Sequence, residues 1–146
     1  MRPSSVCRAT LLGFAAFASS PAAHADQACY DRAQSQAALT ACSVDDLKLV
    51  DDQLNKRYKD MQARLKGDDT TRKLLVDAQK KWVAFRDAEC ALSTVRTAGG
   101  SINPMNFNIC ATDLTQKRVT DLQAYLACGQ QSGDQTDEDC AIPAAP

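Results

Sequence analysis

Apolar residues recur every three or four positions through most of this 146-residue chain, and that spacing constrains the fold more than any other feature. It predicts amphipathic helices, since no run alternates between apolar and polar residues as a half-buried strand would. Two long helices and a third one follow from three apolar stripes. The stripes are Leu47, Val50, Leu54, Tyr58, Met61 and Leu65; then Leu75, Ala78, Trp82, Phe85, Ala88 or Glu89, and Leu92; then Phe107, Cys110, Leu114, Leu122 and Tyr125.

The breaks between the stripes carry residues typical of helix ends. A glycine followed by two aspartates at 67–69 ends the first helix and caps the second. Residues 99–101 end the second helix, and Asn103 with Pro104 predicts the cap and first residue of the third. The short connections favour antiparallel neighbours, so we expect an all-α, disulfide-stapled antiparallel helical bundle.

The start of the first long helix is open to two interpretations. Ser43 with Asp46 three residues later resembles a capping box. Residues 34–42 are equally compatible with a helix and would extend it upstream. A short N-terminal helix is expected around Cys29 in either case.

The first 25 residues resemble a secretory signal peptide. Arg2 and Arg8 supply positive charge, the apolar run after them is too short for a stable transmembrane helix, and Ala23–Ala25 fits a cleavage site. Cleavage would begin the mature chain at Asp26. No cysteine directly follows the apolar run, so we expect a periplasmic or secreted protein without a lipid or membrane anchor.

Six of the seven cysteines remain after that cleavage, and an even number in an exported chain predicts disulfides. Cys90 and Cys110 flank the turn near Gly100 by about ten residues each, which places them at nearly the same height of a helical hairpin. Other pairings stay open, since six cysteines can combine in many ways. The remaining pairs that we favour are Cys29 with Cys42, and Cys128 with Cys140.

Several kinds of chemistry are missing from the predicted mature chain. His24 is the only histidine and lies in the leader, so the usual general base and the commonest zinc ligand are lost. Paired cysteines leave no thiolate for a metal or for catalysis. Removing Arg2 and Arg8 from 17 basic residues leaves 15 against 18 acids, a net charge of −3. We therefore expect no enzyme, no cofactor and no nucleic-acid partner, but a protein partner.

The segment from Ala78 to Cys90 is the densest candidate site. Trp82 and Arg86 lie four residues apart on one helix face, so the guanidinium can cover the indole. Asp87 faces elsewhere and could meet a basic residue of another helix, such as Arg118. The favoured interpretation is a core seam, and the alternative is an exposed anchor for a partner.

Several spaced motifs in the chain resemble those of a known family. They are D-x-x-L-N-x-x-Y from Asp51, A-Q-x-x-W-x-x-F-R-D-A-x-C from Ala78, G-G-S from Gly99 and L-T-x-x-R-x-x-x-L from Leu114. Together they resemble the N-terminal domain family of LprI-type lysozyme inhibitors over roughly residues 29–126. The resemblance implies a helical fold, export and inhibition of lysozyme. The matching residues are Leu54, Asn55, Tyr58, Gln79, Trp82, Arg86, Asp87 and Arg118, with Cys29, Cys42, Cys90 and Cys110.

Two surfaces are candidates for binding a partner. The loop with Gly99, Gly100 and Ser101 can approach a partner closely because its glycines carry no side chain. At the opposite end of the second helix, Asp68 and Asp69 could face a basic partner. Lysozyme is the favoured partner; the alternative is a non-enzymatic interaction or immunity-type protein that binds another envelope component. We expect residues 26–128 to form the domain and residues 129–146 to form a polar, flexible tail.

Overall fold

The computed structural model describes residues 27–128 and 140–143, and within them every regular element is a helix, so the predicted all-α bundle is confirmed. The predicted signal peptide and most of the predicted tail lie outside the described residues. The elements are α1 (Gln27–Arg32), α2 (Gln36–Arg64), α3 (Asp69–Ser93), a short 3₁₀ turn (Val95–Thr97) and α4 (Asn103–Ala127).

Helix α2 begins upstream of the proposed capping box. Its N-cap is Ser35, whose hydroxyl oxygen accepts a hydrogen bond from the backbone N–H of Ala38 at 3.2 Å. Ser43 lies inside the helix and is fully buried, and its hydroxyl donates to the carbonyl of Thr40 at 2.7 Å. The capping box at Ser43 is therefore wrong, and the upstream extension is correct.

The other helix ends agree with the predictions only in part. Helix α2 ends at Arg64, three residues before Gly67, and α3 ends at Ser93, six residues before Gly99, with the 3₁₀ turn between them. Asp68 caps α3, because its Oδ1 accepts from the N–H of Thr71 at 3.0 Å. Asn103 is the first residue of α4 and not its cap. Its amide nitrogen instead donates to the Thr94 carbonyl and to the Thr97 hydroxyl, both at 3.1 Å, and so ties the start of α4 to the preceding loop.

Helix α4 is the central helix of the bundle. It packs along most of α2. Residue numbers increase in the same direction along both helices in the contacts Gln36–Met105, Ser43–Asn108 and Arg64–Leu126. The two helices are therefore parallel. Helix α3 connects α2 to α4 in the chain and runs antiparallel to both. It packs on α4 but not closely on α2. A groove remains between α2 and α3.

The apolar core fills the half of the bundle where α2 and α4 end. The first predicted stripe is largely confirmed, because four of its six members are buried. They are Val50, Leu54, Met61 and Leu65. Tyr58 and Trp82 are partly buried and pack against this cluster. The cluster consists of Leu54, Met61, Leu65, Leu75, Val119, Leu122, Leu126 and Ile142.

The second predicted stripe is wrong over most of its length. Leu75 is buried and Trp82 is half-buried, but Phe85 is 55% exposed and Leu92 is 68% exposed. Ala78 and Ala88 are exposed as well. Because α3 is an outer helix that packs mainly on α4, only a narrow strip of its surface can be covered.

The third stripe identified only part of the buried face of α4. Leu122 is buried, whereas Tyr125 is 45% exposed and Phe107 and Leu114 are half-buried. The buried face of α4 also contains smaller residues, which the spacing of large apolar residues did not reveal. These are Ala111, Thr112, Thr115 and Val119, with Leu126 at the end.

The six cysteines pair as the sequence favoured. Cys29–Cys42 fastens α1 to α2, and Cys90–Cys110 fastens α3 to α4, with Cα atoms 5.9 and 5.6 Å apart. Cys128–Cys140, with a Cα separation of 5.8 Å, ties the C-terminal segment to the end of α4. Ile142 of that segment is only 2% exposed, so this part of the C-terminal segment contributes to the core.

Candidate functional site

Trp82 lies under two guanidinium groups. The Cζ atom of Arg86 is 5.5 Å from the centroid of the indole, and that of Arg118 is 5.9 Å away. Both distances are in the range of cation–π attraction. Trp82 is half-buried, and two arginine side chains cover its ring. The contact with Arg86 was predicted, and the contact with Arg118 of α4 is additional.

Arg86 joins the three long helices. Its Nη1 donates to Asp51 Oδ1 on α2 at 3.0 Å and to the Thr115 hydroxyl on α4 at 3.2 Å. Its Nε donates to Asp87 Oδ1 at 3.0 Å, so Asp87 contacts its own neighbour and not Arg118 as proposed. The Arg86 side chain is only 13% exposed, so these contacts are shielded from water more than a surface ion pair is. This network is structural in character.

The other motif residues divide between the core and the groove. Leu54 is buried in the core, and the Tyr58 hydroxyl accepts from Gln62 Nε2 at 3.2 Å. Gln79 accepts a hydrogen bond from Arg118 Nε at 3.4 Å. Asn55 is exposed and, with Tyr58 and Gln79, lines the groove between α2 and α3. The motif thus collects around one helix junction, which supports the interpretation of a scaffold.

The glycine-rich loop at the end of the α3–α4 hairpin is exposed and internally braced. Gly99 has a φ of 78°, a left-handed conformation that favours glycine. The N–H of Gly100 donates to the Thr97 carbonyl at 3.0 Å, and the N–H of Asn103 donates to the Gly100 carbonyl at 3.1 Å. Cys90–Cys110 joins the two helices directly behind the loop. The backbone is therefore ordered before any partner binds.

Three apolar residues that flank this loop in sequence are exposed, which the apolar periodicity did not predict. Leu92 is 68% exposed, Val95 58% and Ile102 40%. Leu92 was assigned to a core stripe, and Val95 and Ile102 belong to no periodic run, so only their position beside the loop could have indicated exposure. We call Leu92, Val95, Gly99, Gly100, Ser101 and Ile102 the loop surface.

The acidic pair at the opposite end of α3 is engaged within the protein. Hydrogen bonds from Thr71, first from its hydroxyl and then from its backbone N–H, lower the pKa of the Asp68 carboxyl. Asp69 forms an ion pair with Arg72. Both carboxylates of this end therefore already have partners within the protein.

The described residues form a small all-α protein that disulfides staple at three points. None of its helices, within residues 27–128 and 140–143, is both long and apolar enough to span a bilayer. The chain belongs to the family described as lysozyme inhibitor LprI, whose family model matches residues 28–122.

One relative is the uncharacterized protein R02472 of Rhizobium meliloti (strain 1021). The two are 31% identical over 106 residues, which cover 65% of this chain and 76% of the relative. No solved structure matches the chain. The family match ends before Cys128, so the third disulfide and Ile142 lie beyond it.

Proposed function

We propose that this protein is an exported, non-enzymatic inhibitor that binds lysozyme in the periplasm or outside the cell. Membership of the lysozyme inhibitor family supports the choice of partner. The leader-like first 25 residues and the three disulfides support export, because such bonds persist in oxidising compartments.

The loop surface is the contact region that we propose. The observation that carries this proposal is the combination of a braced backbone with exposed Leu92, Val95 and Ile102. Large apolar groups that stay exposed close together in sequence are consistent with a binding site. Since hydrogen bonds and Cys90–Cys110 already order the loop, binding costs little conformational entropy. A protruding hairpin end also suits the cleft of an enzyme.

Ser101→Arg tests the loop surface. Ser101 is exposed, and a long charged side chain there should obstruct a close contact while leaving the fold intact. We expect at least a tenfold loss of lysozyme affinity by titration calorimetry, with a melting temperature within a degree or two of the parent. Gly100 is less suitable, because a Cβ there would lie 3.2 Å from the Thr97 carbonyl oxygen.

Thr70→Arg is the matched control at the other end of α3. Thr70 is exposed and adjoins Asp68 and Asp69, so this variant tests the acidic end without removing the helix cap. Normal binding by Thr70→Arg and weak binding by Ser101→Arg would support the loop surface. The reverse result would assign binding to the acidic end. If the parent protein does not inhibit lysis of cell walls by lysozyme at micromolar concentration, the partner is another envelope component.

A further inference from the structure

A small apolar pocket lies where the C-terminal segment meets the helices. Its volume is about 190 Å³. Its inner wall is buried, with Leu122 at 0% and Met61 at 2% exposure, and Ile142 closes one side. Leu74, 66% exposed, and Tyr125, 45% exposed, stand at its mouth. An apolar cavity of about 150 Å³ accepts benzene, so this pocket has room for one ring or a short alkyl chain.

Arg118 lines the same pocket, and its charge is not balanced by an ion pair within the described residues. Its Nε donates to Gln79 Oε1 at 3.4 Å, and its Cζ lies 5.9 Å from the indole centroid of Trp82. No carboxylate among residues 27–128 and 140–143 forms an ion pair with it, in contrast to Arg86. A half-buried guanidinium beside apolar walls strongly favours an anion, and a carboxylate can accept two hydrogen bonds from it.

We propose that this pocket binds a small amphiphilic anion, namely a carboxylate that carries an aromatic ring or a short alkyl chain. The apolar body enters between Met61, Leu75 and Leu122, and the carboxylate meets the Nη groups of Arg118 at the rim. A neutral apolar molecule would leave the guanidinium unpaired. A small polar anion would leave the apolar walls unfilled. This site is separate from the loop surface, and its assignment does not depend on the proposed partner.

The single tryptophan of the chain makes the binding measurable. Trp82 lies beside Arg118, so an anion on that guanidinium should change the intrinsic fluorescence of the full-length oxidised protein. We propose titrations with benzoate and hexanoate, which distinguish an aromatic from an alkyl ligand. The controls are acetate, which lacks the apolar body, and benzyl alcohol, which lacks the charge. Benzoate or hexanoate should bind at least tenfold more tightly than both controls. Equal binding of acetate, or no binding of any probe, would overturn the proposal.

Two variants locate the site by calorimetry with the better of the two acids. Leu74→Asp places a carboxylate at the pocket mouth, and because Leu74 is mostly exposed the fold should not change. We expect it and Arg118→Gln each to weaken binding by roughly tenfold or more. Leu49→Asp is the matched control, since Leu49 is 42% exposed on α2 and lies outside the pocket. If Leu74→Asp binds the acid as tightly as Leu49→Asp does, the pocket is not the site.

Discussion

At the scale of single residues, Trp82 and Arg86 show how one motif serves as a junction. The guanidinium of Arg86 reaches Asp51 on α2 and Thr115 on α4 while it covers the indole of Trp82 on its own helix. Thr115 is fully buried, so its hydroxyl needs this partner. The sequence indicated the pairing of tryptophan and arginine, but it did not indicate that a threonine of the central helix completes the network.

Replacing Trp82 with alanine should destabilise the fold. The ring is half-buried, packs against the core and lies under two guanidinium groups. We expect the free energy of unfolding to fall by roughly 2–4 kcal/mol, near the lower part of the range for large aromatic truncations. Urea denaturation followed by circular dichroism measures it. A variant that unfolds like the parent but no longer binds lysozyme would identify Trp82 as an interface anchor.

At the scale of elements, α1 is attached to α2 by a covalent and a polar contact. Cys29 is bonded to Cys42, and the Tyr30 hydroxyl donates to Asp46 Oδ2 at 2.6 Å. Asp46 is only 7% exposed, and its Oδ1 has no hydrogen-bond partner among the described residues. Burial, then the hydrogen bond to Asp46 and its charge, raise the pKa of Tyr30 above the ordinary value for tyrosine.

The raised pKa of Tyr30 predicts a loss of stability at high pH. In the unfolded chain a tyrosine ionises near pH 10, whereas in the folded protein Tyr30 keeps its proton to higher pH. Its contribution is therefore complete below about pH 10 and declines above it, as the unfolded state alone releases the proton. Urea midpoints between pH 8 and pH 11 should fall more steeply for the parent than for Tyr30→Phe. Parallel curves for the two proteins would contradict this assignment.

At the scale of the whole molecule, the C-terminal segment completes the core. Ile142 belongs to the main apolar cluster, although it lies twenty residues beyond the end of the family match. Arg64 Nη1 holds the segment by donating to the Leu126 carbonyl at 2.7 Å and to the Pro143 carbonyl at 3.4 Å. Together with Cys128–Cys140, these contacts keep the segment beside α2 and α4.

Ile142→Ala should therefore lower stability as a core substitution does. We expect a loss of about 2–4 kcal/mol in the free energy of unfolding, because the site is 2% exposed and its removal enlarges the adjacent apolar pocket. Ile109→Ala is the matched control on α4, since that residue is 43% exposed, and it should cost less than about 1 kcal/mol. Equal losses in thermal and urea unfolding would show that the segment does not support the core.

The sequence by itself determined the helices, several of their ends and the pairing of cysteines across the hairpins. These depend on local properties: apolar spacing, the capping carboxylate of Asp68, and the rise per residue that sets Cys90 level with Cys110. The loop surface was half predicted, since its glycines mark a turn in the sequence but its exposed apolar neighbours do not.

Only the tertiary structure decided which residues each helix buries. Periodicity assigned Leu92 to the core and passed over Thr115, yet Leu92 is 68% exposed and Thr115 is fully buried. The physical reason is that burial depends on which helix is central, and this depends on contacts between distant segments. Once α4 lies between α2 and α3, its small residues are covered by the neighbouring helices, and no described helix packs on the outer face of α3.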